Sequence, residues 1–383
     1  MRGRRIAAAA CAVAAVLVAD VAGETHAAST AAEPGECAPP ALGFGAGEGR
    51  NDPALPPTVG DLRVGMLFVD FSDAPGAVAP QAIHNAYIPH VIEWYRKVSY
   101  GGLRISVEPV LRWLRLPRTL AEYQQTRFDG AIEAAVQTVD AELDFGRFQA
   151  LLVITPGEVG PLASTIVNHD PLRADGAAIT SWVWLSARTL DVERANVLVH
   201  ETGHVLGLPD LYAQNAFSHH RWDVMTASGA GGMFAWHRWK LGWLDESQII
   251  CLTRGAVTVT LTPVEQAGGT KAVVFRARNA AVVVEVRQRL NEDAAICRTG
   301  VLLYRVDFLK GSPGRPGGQV VPVRIRSAQP DRGRNLTHCG PQWRAPFSLR
   351  RGEPSRVAAF GLRLRLLRAL LGGSYRVQVK VGS

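Results

Sequence analysis

The longest uninterrupted apolar run in this 383-residue chain covers residues 6–19, only 14 positions. That is short of the ~20 residues a membrane-spanning helix needs, so no transmembrane segment is expected in the mature chain. Cysteine is sparse, at five residues, and lysine is rare beside arginine. No glycine-rich phosphate loop, no internal repeat and no motif for specific nucleic-acid recognition is present. These absences set aside P-loop nucleotide chemistry and solenoid folds.

The short apolar run has a different meaning. Arg2, Arg4 and Arg5 precede it, and small residues follow around Ala22 to Ala28. This is the layout of a secretory signal peptide over residues 1–27, which implies a secreted, extracellular protein. Residues 28–60 are rich in Ala, Gly and Pro without periodicity and read as a flexible leader or pro-segment remnant. Cys11 leaves with the signal, and Cys37, Cys251, Cys297 and Cys339 remain. An even number in an exported chain suggests two disulfides, with three possible pairings. Cys251 and Cys297 flank one strand-rich segment, so that pair is preferred, leaving Cys37 with Cys339. The competing idea is a Cys37 thiolate that blocks a metal site.

The most informative stretch is His200-Glu-Thr-Gly-His-Val-Leu-Gly-Leu-Pro-Asp210. On a helix, residues four apart share one face, so His200 and His204 can grip one Zn²⁺ ion. Glu201 lies beside them, where a carboxylate can act as general base toward a water polarised by the ion. Gly207 can end the helix in a left-handed conformation, after which Asp210 can return to the same metal. Two histidines and one carboxylate leave a coordination position open, as catalytic zinc requires. The apolar run before the motif suits a buried helix, with Asp191 as its N-cap. His219, His220 and His237 compete with Asp210 as third ligand, and Glu246 lacks a helical Glu motif around it.

These segments together resemble a family. The run 64–73, Trp94–Gly101, Trp113–Pro117, the zinc motif, Trp222-Asp-Val-Met225, Leu241-Gly-Trp243, Val284–Gln288 and Gly300–Asp307 occur in the order seen in secreted bacterial metallopeptidases of the immune inhibitor A type, peptidase family M6. The resemblance implies a metzincin-like, zinc-dependent endopeptidase acting on protein or peptide substrates. It implies Asp210 as third ligand, six residues after His204, and Met225 as the methionine turn beneath the ligands. It also implies an edge strand near the cleft that binds substrate backbone. The departure is Ala227, which stands where some metzincins carry a transition-state tyrosine. A structural Ca²⁺ ion is compatible with the resemblance but has no motif. The alternative function is a non-catalytic surface-binding protein that keeps a structural zinc, and an intact Glu201 argues against it.

Patterning gives an α+β expectation in two parts. Residues 61–245 alternate strands (64–71, 103–110, 150–154, 179–185) with helices (83–98, 131–143 and one from about 191). Residues 246–383 form a β-rich, sandwich-like domain with strands at 256–261, 281–287, 301–306, 319–325, 362–366 and 375–381. Leu362-Arg-Leu-Arg-Leu366 reads as an exposed-face strand, with a basic membrane segment as the other reading. Asn335-Leu-Thr337 matches a glycosylation sequon by chance. Charge is divided as well. Residues 298–383 hold 17 Lys and Arg against three acidic residues, whereas 28–297 carry a net −7. Such asymmetry points to an anionic surface or polyanion as partner of the basic part.

Overall fold

The computed structural model describes residues 31–382 except 33, 42–46, 127–129, 157–163, 194, 213–220, 227–230, 311–320 and 329–344. The signal segment, Cys11, His219, His220, Ala227, the Asn335 sequon and Cys339 lie outside the described residues. The chain begins with β1 (Ala31–Ala32) and α1 (Pro34–Cys37). It continues through β2 (Gly60–Asp70), α2 (Pro80–Val98), β3 (Leu103–Arg115), α3 (Leu120–Gln125) and α4 (Ala131–Gln137). Then come β4 (Ala150–Thr155), β5 (Ser164–Ala174), β6 (Ala177–Ser186), α5 (Ala187–Glu193), α6 (Ala195–Val205) and α7 (Ala235–Lys240). The strands that follow are β7 (Ile249–Leu252), β8 (Ala256–Leu261), β9 (Ala272–Ala277), β10 (Ala280–Arg287), β11 (Gly300–Asp307), β12 (Val323–Ile325), β13 (Arg356–Ala359), β14 (Leu362–Ala369) and β15 (Tyr375–Val381).

The first sheet has the order β3-β2-β4-β6-β5. Its first four strands are parallel and β5 runs antiparallel at the edge. A parallel sheet is covered on both faces, which explains the continuous burial of residues 65–71. Met66 and Phe68 face one core with Ile88, Val91 and Tyr95 of α2 and Val197, Leu198 and Val199 of α6. Leu67, Val69 and Phe71 face a second core with Tyr123, Ile132 and Val136. Residues 179–185 lie inside the sheet, and the edge belongs to β5, whose polar, proline-containing sequence hides it. Its pairing breaks between Val167 and Leu172, a bulge that accommodates Pro171.

Beyond α7 lie two further sheets, β1-β7-β9-β10-β11-β12 and β13-β14-β15-β8. Every residue of β10 is buried, because its sheet is a middle layer. Val282, Val284 and Val286 pack with Leu364, Leu366, Val377 and Val379 of the four-stranded sheet. Ala281 and Val283 turn the other way into the core that holds α2 and α6. The C-terminal part is thus β-rich, with two sheets face to face. Of residues 319–325 only Val323–Ile325 are a described strand. In β14, Leu362, Leu364 and Leu366 point inward while Arg363 and Arg365 are exposed, so this stretch is a strand rather than a membrane segment. No described helix is long and apolar enough to cross a membrane.

Two local expectations need correction. The motif lies on α6, which begins at Ala195; the preceding helix, α5, is capped at its N-terminus by Ser186, whose Oγ accepts from the Thr189 amide at 3.1 Å. Asp191 lies inside that helix and accepts from the Tyr87 hydroxyl instead. The preferred Cys251–Cys297 disulfide is also overturned, because α1 lies against β7 and Cys37 bonds to Cys251. Cys297 is disulfide-bonded as well, so Cys37 is no free thiolate.

Residues 47–59, which have no sequence periodicity, are held by side chains. Lys240 donates to the Gly47 carbonyl, Thr180 to Ala54 and Trp243 to Thr58. The 214-residue separation of Cys37 and Cys251 makes their cross-link a strong restraint on the unfolded chain. Non-reducing peptide mapping will recover Cys37 joined to Cys251, and thiol titration of the denatured mature protein will find no free thiol. The double Cys37→Ser, Cys251→Ser change will lower stability by about 3–5 kcal/mol. Recovery of a Cys251–Cys297 peptide would refute this pairing.

Candidate metal centre

Helix α6 ends where its sequence demands. Gly207 adopts φ 88°, its amide donates to the His204 carbonyl, and the Leu208 amide donates to Gly203. This is a Schellman stop, which needs a left-handed residue and reverses the chain within three residues. Asn51 donates to the orphaned Leu206 carbonyl at 2.6 Å, and Lys240 donates to that of Gly207. The reversal carries Asp210 back to the helix face that bears the two histidines.

Asp210 Oδ1 then lies 3.2 Å from His200 Nε2 and 3.1 Å from His204 Nε2. All three ligand atoms fall within 4.8 Å of one another. On the far side of each ring, Nδ1 of His200 donates to the Val224 carbonyl at 2.9 Å, and Nδ1 of His204 to Leu208 at 2.7 Å. A carbonyl can only accept, so each Nδ1 carries hydrogen and each neutral ring presents a lone pair at Nε2. Three lone-pair donors therefore converge on one point. Atoms about 2.0–2.1 Å from a tetrahedral ion are about 3.3 Å apart, close to the observed separations. The residues fit a metal ion, and the carbonyl partners supply the outer support that orients metal-bound imidazoles.

The electrostatics carry the same requirement for positive charge. Burial works against a charged His204, but the hydrogen bond and charge of Asp210 push its pKa up to about 9. Burial raises the Asp210 carboxyl too, yet the two imidazoles outweigh it and hold it well below the usual carboxylate range. Glu201 is buried on α6 next to His200, and its charge also favours protonation of His204.

Met225 is fully buried beneath this helix. A Cβ placed on Gly203 would run into Met225 Sδ and come within 3.5 Å of the Tyr95 hydroxyl. The turn bearing Met225 is held by one carboxylate. Asp223 accepts from the amides of Met225 and Phe234 and from His237 Nδ1, at 2.7–2.9 Å. His237 is fully buried and its other nitrogen faces Glu48 at 3.0 Å. It is thus no competitor for the metal. Arg287, also buried, donates to the Trp222 carbonyl and pairs with Glu265, Glu285 and Asp293.

Sequence reasoning had brought together His200, Glu201, His204, Asp210 and Met225. It missed Glu48, Asp223 and Arg287. Glu48 stands in a Gly-rich stretch with no pattern, whereas Asp223 and Arg287 fall in segments already noted for the resemblance. No family model matches the chain, and no curated protein is similar to it.

Two variants test this arrangement. Gly203→Ala will lower stability by about 1–3 kcal/mol through overpacking, although alanine is by itself the better helix former. Adding Met225→Ala will recover part of the loss, and equal stability of Gly203→Ala and the parent would disprove the close contact. His237→Phe strands two buried carboxylates and will cost about 3–5 kcal/mol, while the folded fraction keeps its metal. Burial opposes the charge on His237, but Asp223 and Glu48 push its pKa up to about 10 from the usual 6.5. Its stabilisation is therefore full below pH ~6.5 and is lost as pH rises through about 10. Denaturant titrations across that range will show the parent's advantage over His237→Phe shrinking.

Proposed function

We propose that the protein is a secreted, zinc-dependent endopeptidase of metzincin-like design. The observation that supports this most is the convergence of His200 Nε2, His204 Nε2 and Asp210 Oδ1 at one point, with a buried glutamate on the same helix. A structural site needs ligands but no general base, and Glu201 supplies a carboxylate beyond the three ligand groups. Bound there, zinc acts as a Lewis acid toward water and the scissile carbonyl. Glu201 takes the proton from the attacking water and passes it to the leaving amine nitrogen, a base-then-acid cycle. The Val224 and Leu208 carbonyls keep both imidazoles in the tautomer that offers Nε2.

Substrate alignment falls to β5. Among the described strands it is this sheet's one antiparallel member, lies at its edge and packs against α6. An extended peptide can add to such an edge through backbone hydrogen bonds. The disulfide and the signal-like N-terminus suit an exported protein.

Purified protein will contain one zinc per chain by elemental analysis and will digest casein. Glu201→Ala will retain metal and fold but lose at least ~10²–10⁴-fold in turnover. Asp210→Ala will lower zinc occupancy, because it removes one of three ligands. Undiminished casein digestion by the Glu201→Ala protein would end this reading.

A further inference from the structure

The outer face of the β13-β14-β15-β8 sheet carries charge of one sign. Arg356 projects from β13, Arg363, Arg365 and Arg368 from β14, and Arg376 and Lys380 from β15, all exposed. None of the four strands contains an Asp or Glu. Among the described residues, none of the six cations has an ion-pair partner. Their register sharpens the point. Arg356 lies directly opposite Arg365, Arg363 opposite Lys380, and Arg368 opposite Arg376. Like charges opposed across antiparallel strands are destabilising, and burying the inner leucines and valines needs no particular charge outside. Threonine, glutamine or residues of mixed sign would serve as well there.

A groove of about 350 Å³ runs through this array, lined by Arg356, Ala358, Arg363, Arg365, Gln378 and Lys380. These side chains spring from points about 5 Å apart across strands and about 7 Å apart along them. That repeated spacing suits a chain with an anionic group on each unit better than a single small ion. The two larger apolar residues that line it, Val357 and Leu364, are half-buried and buried, so the groove offers no exposed apolar side chain to a lipid layer. Leu371, fully exposed, lies away from the groove at the tip of the β14–β15 hairpin. We propose that this sheet face is a binding site for a linear polyanion bearing phosphate or sulfate groups. The six-stranded sheet stands between it and the metal centre, so the face localises the protein and takes no part in chemistry. The proposal does not depend on peptidase activity.

The test uses the full secreted chain and a triple variant, Arg363→Gln, Arg365→Gln and Lys380→Gln. A charge-matched control replaces Arg63, Arg96 and Arg112 by Gln on the other half of the molecule. Both are checked for an unchanged thermal unfolding profile. The probes are a heparin column and soluble inorganic polyphosphate. The face variant will elute at lower salt and bind polyphosphate at least ~10-fold more weakly. Its slope of log affinity against log salt will fall by about 2, as expected for three lost contacts to a single-stranded polyanion. The control will behave as the parent. Equal weakening in both triples, or in neither, would overturn the proposal. So would binding of the parent to phosphatidylglycerol–phosphatidylcholine vesicles without binding to polyphosphate, particularly if Leu371→Ser abolished it, because the face would then serve a membrane.

Discussion

Two imidazole lone pairs that each face one carboxylate oxygen at just over 3 Å repel it unless a positive charge stands among them. Val224 and Leu208 create this condition, because their carbonyls claim the only hydrogen each neutral imidazole carries. A proton on a ring or a metal ion can resolve it. A metal ion would do so with all three groups in their deprotonated form. The remaining structure can be understood as the means of holding those atoms where they would not rest unaided. Val224 belongs to an irregular segment, so its carbonyl direction must be fixed from outside.

That fixing is ionic and buried. Asp223 ties together Met225, Phe234 and His237, and His237 passes the restraint on to Glu48. Lys240 adds a second positive charge nearby, with its ammonium on the Gly47 and Gly207 carbonyls. On the opposite side Arg287 holds the Trp222 carbonyl and is itself surrounded by carboxylates. Burial raises Glu265 well above the usual carboxylate range in that group, despite the attraction of Arg287. Networks of this kind add little when complete, but removing one member is costly, since the others remain desolvated. They trade stability for a single geometry, which a turn without regular secondary structure requires.

The candidate metal site was legible because its chemistry is local. A four-residue spacing, a glycine stop and a carboxylate three residues later are written within eleven positions. Strands with continuous or alternating apolar residues were legible for the same reason, as β2, β4, β10 and β14 show. What escaped depended on partners distant in sequence. Cys37 meets Cys251 only because α1 lies against β7. Asn51 caps a helix end 155 residues away, and Glu48 finds His237 at a separation of 189. The edge strand β5 escaped for a different cause: its bulge and proline break the period of two, features that also protect an exposed edge from self-association.

The uneven charge of the chain acquires a spatial meaning from the layered fold. β10 is buried on both faces, so the middle of its sheet carries no solvated charge and separates two surfaces. On one side the packed core supports the metal site, where every polar group has to be matched. On the other, only the outward positions of the four-stranded sheet are free to vary, because Leu362, Leu364, Leu366, Val377 and Val379 fill the inner ones. Arginine and lysine at those outward positions leave the sandwich core undisturbed and are screened from the candidate metal site by two sheets of apolar packing. A basic surface could thus be elaborated there without shifting the electrostatics on which Asp210 and the two histidines depend.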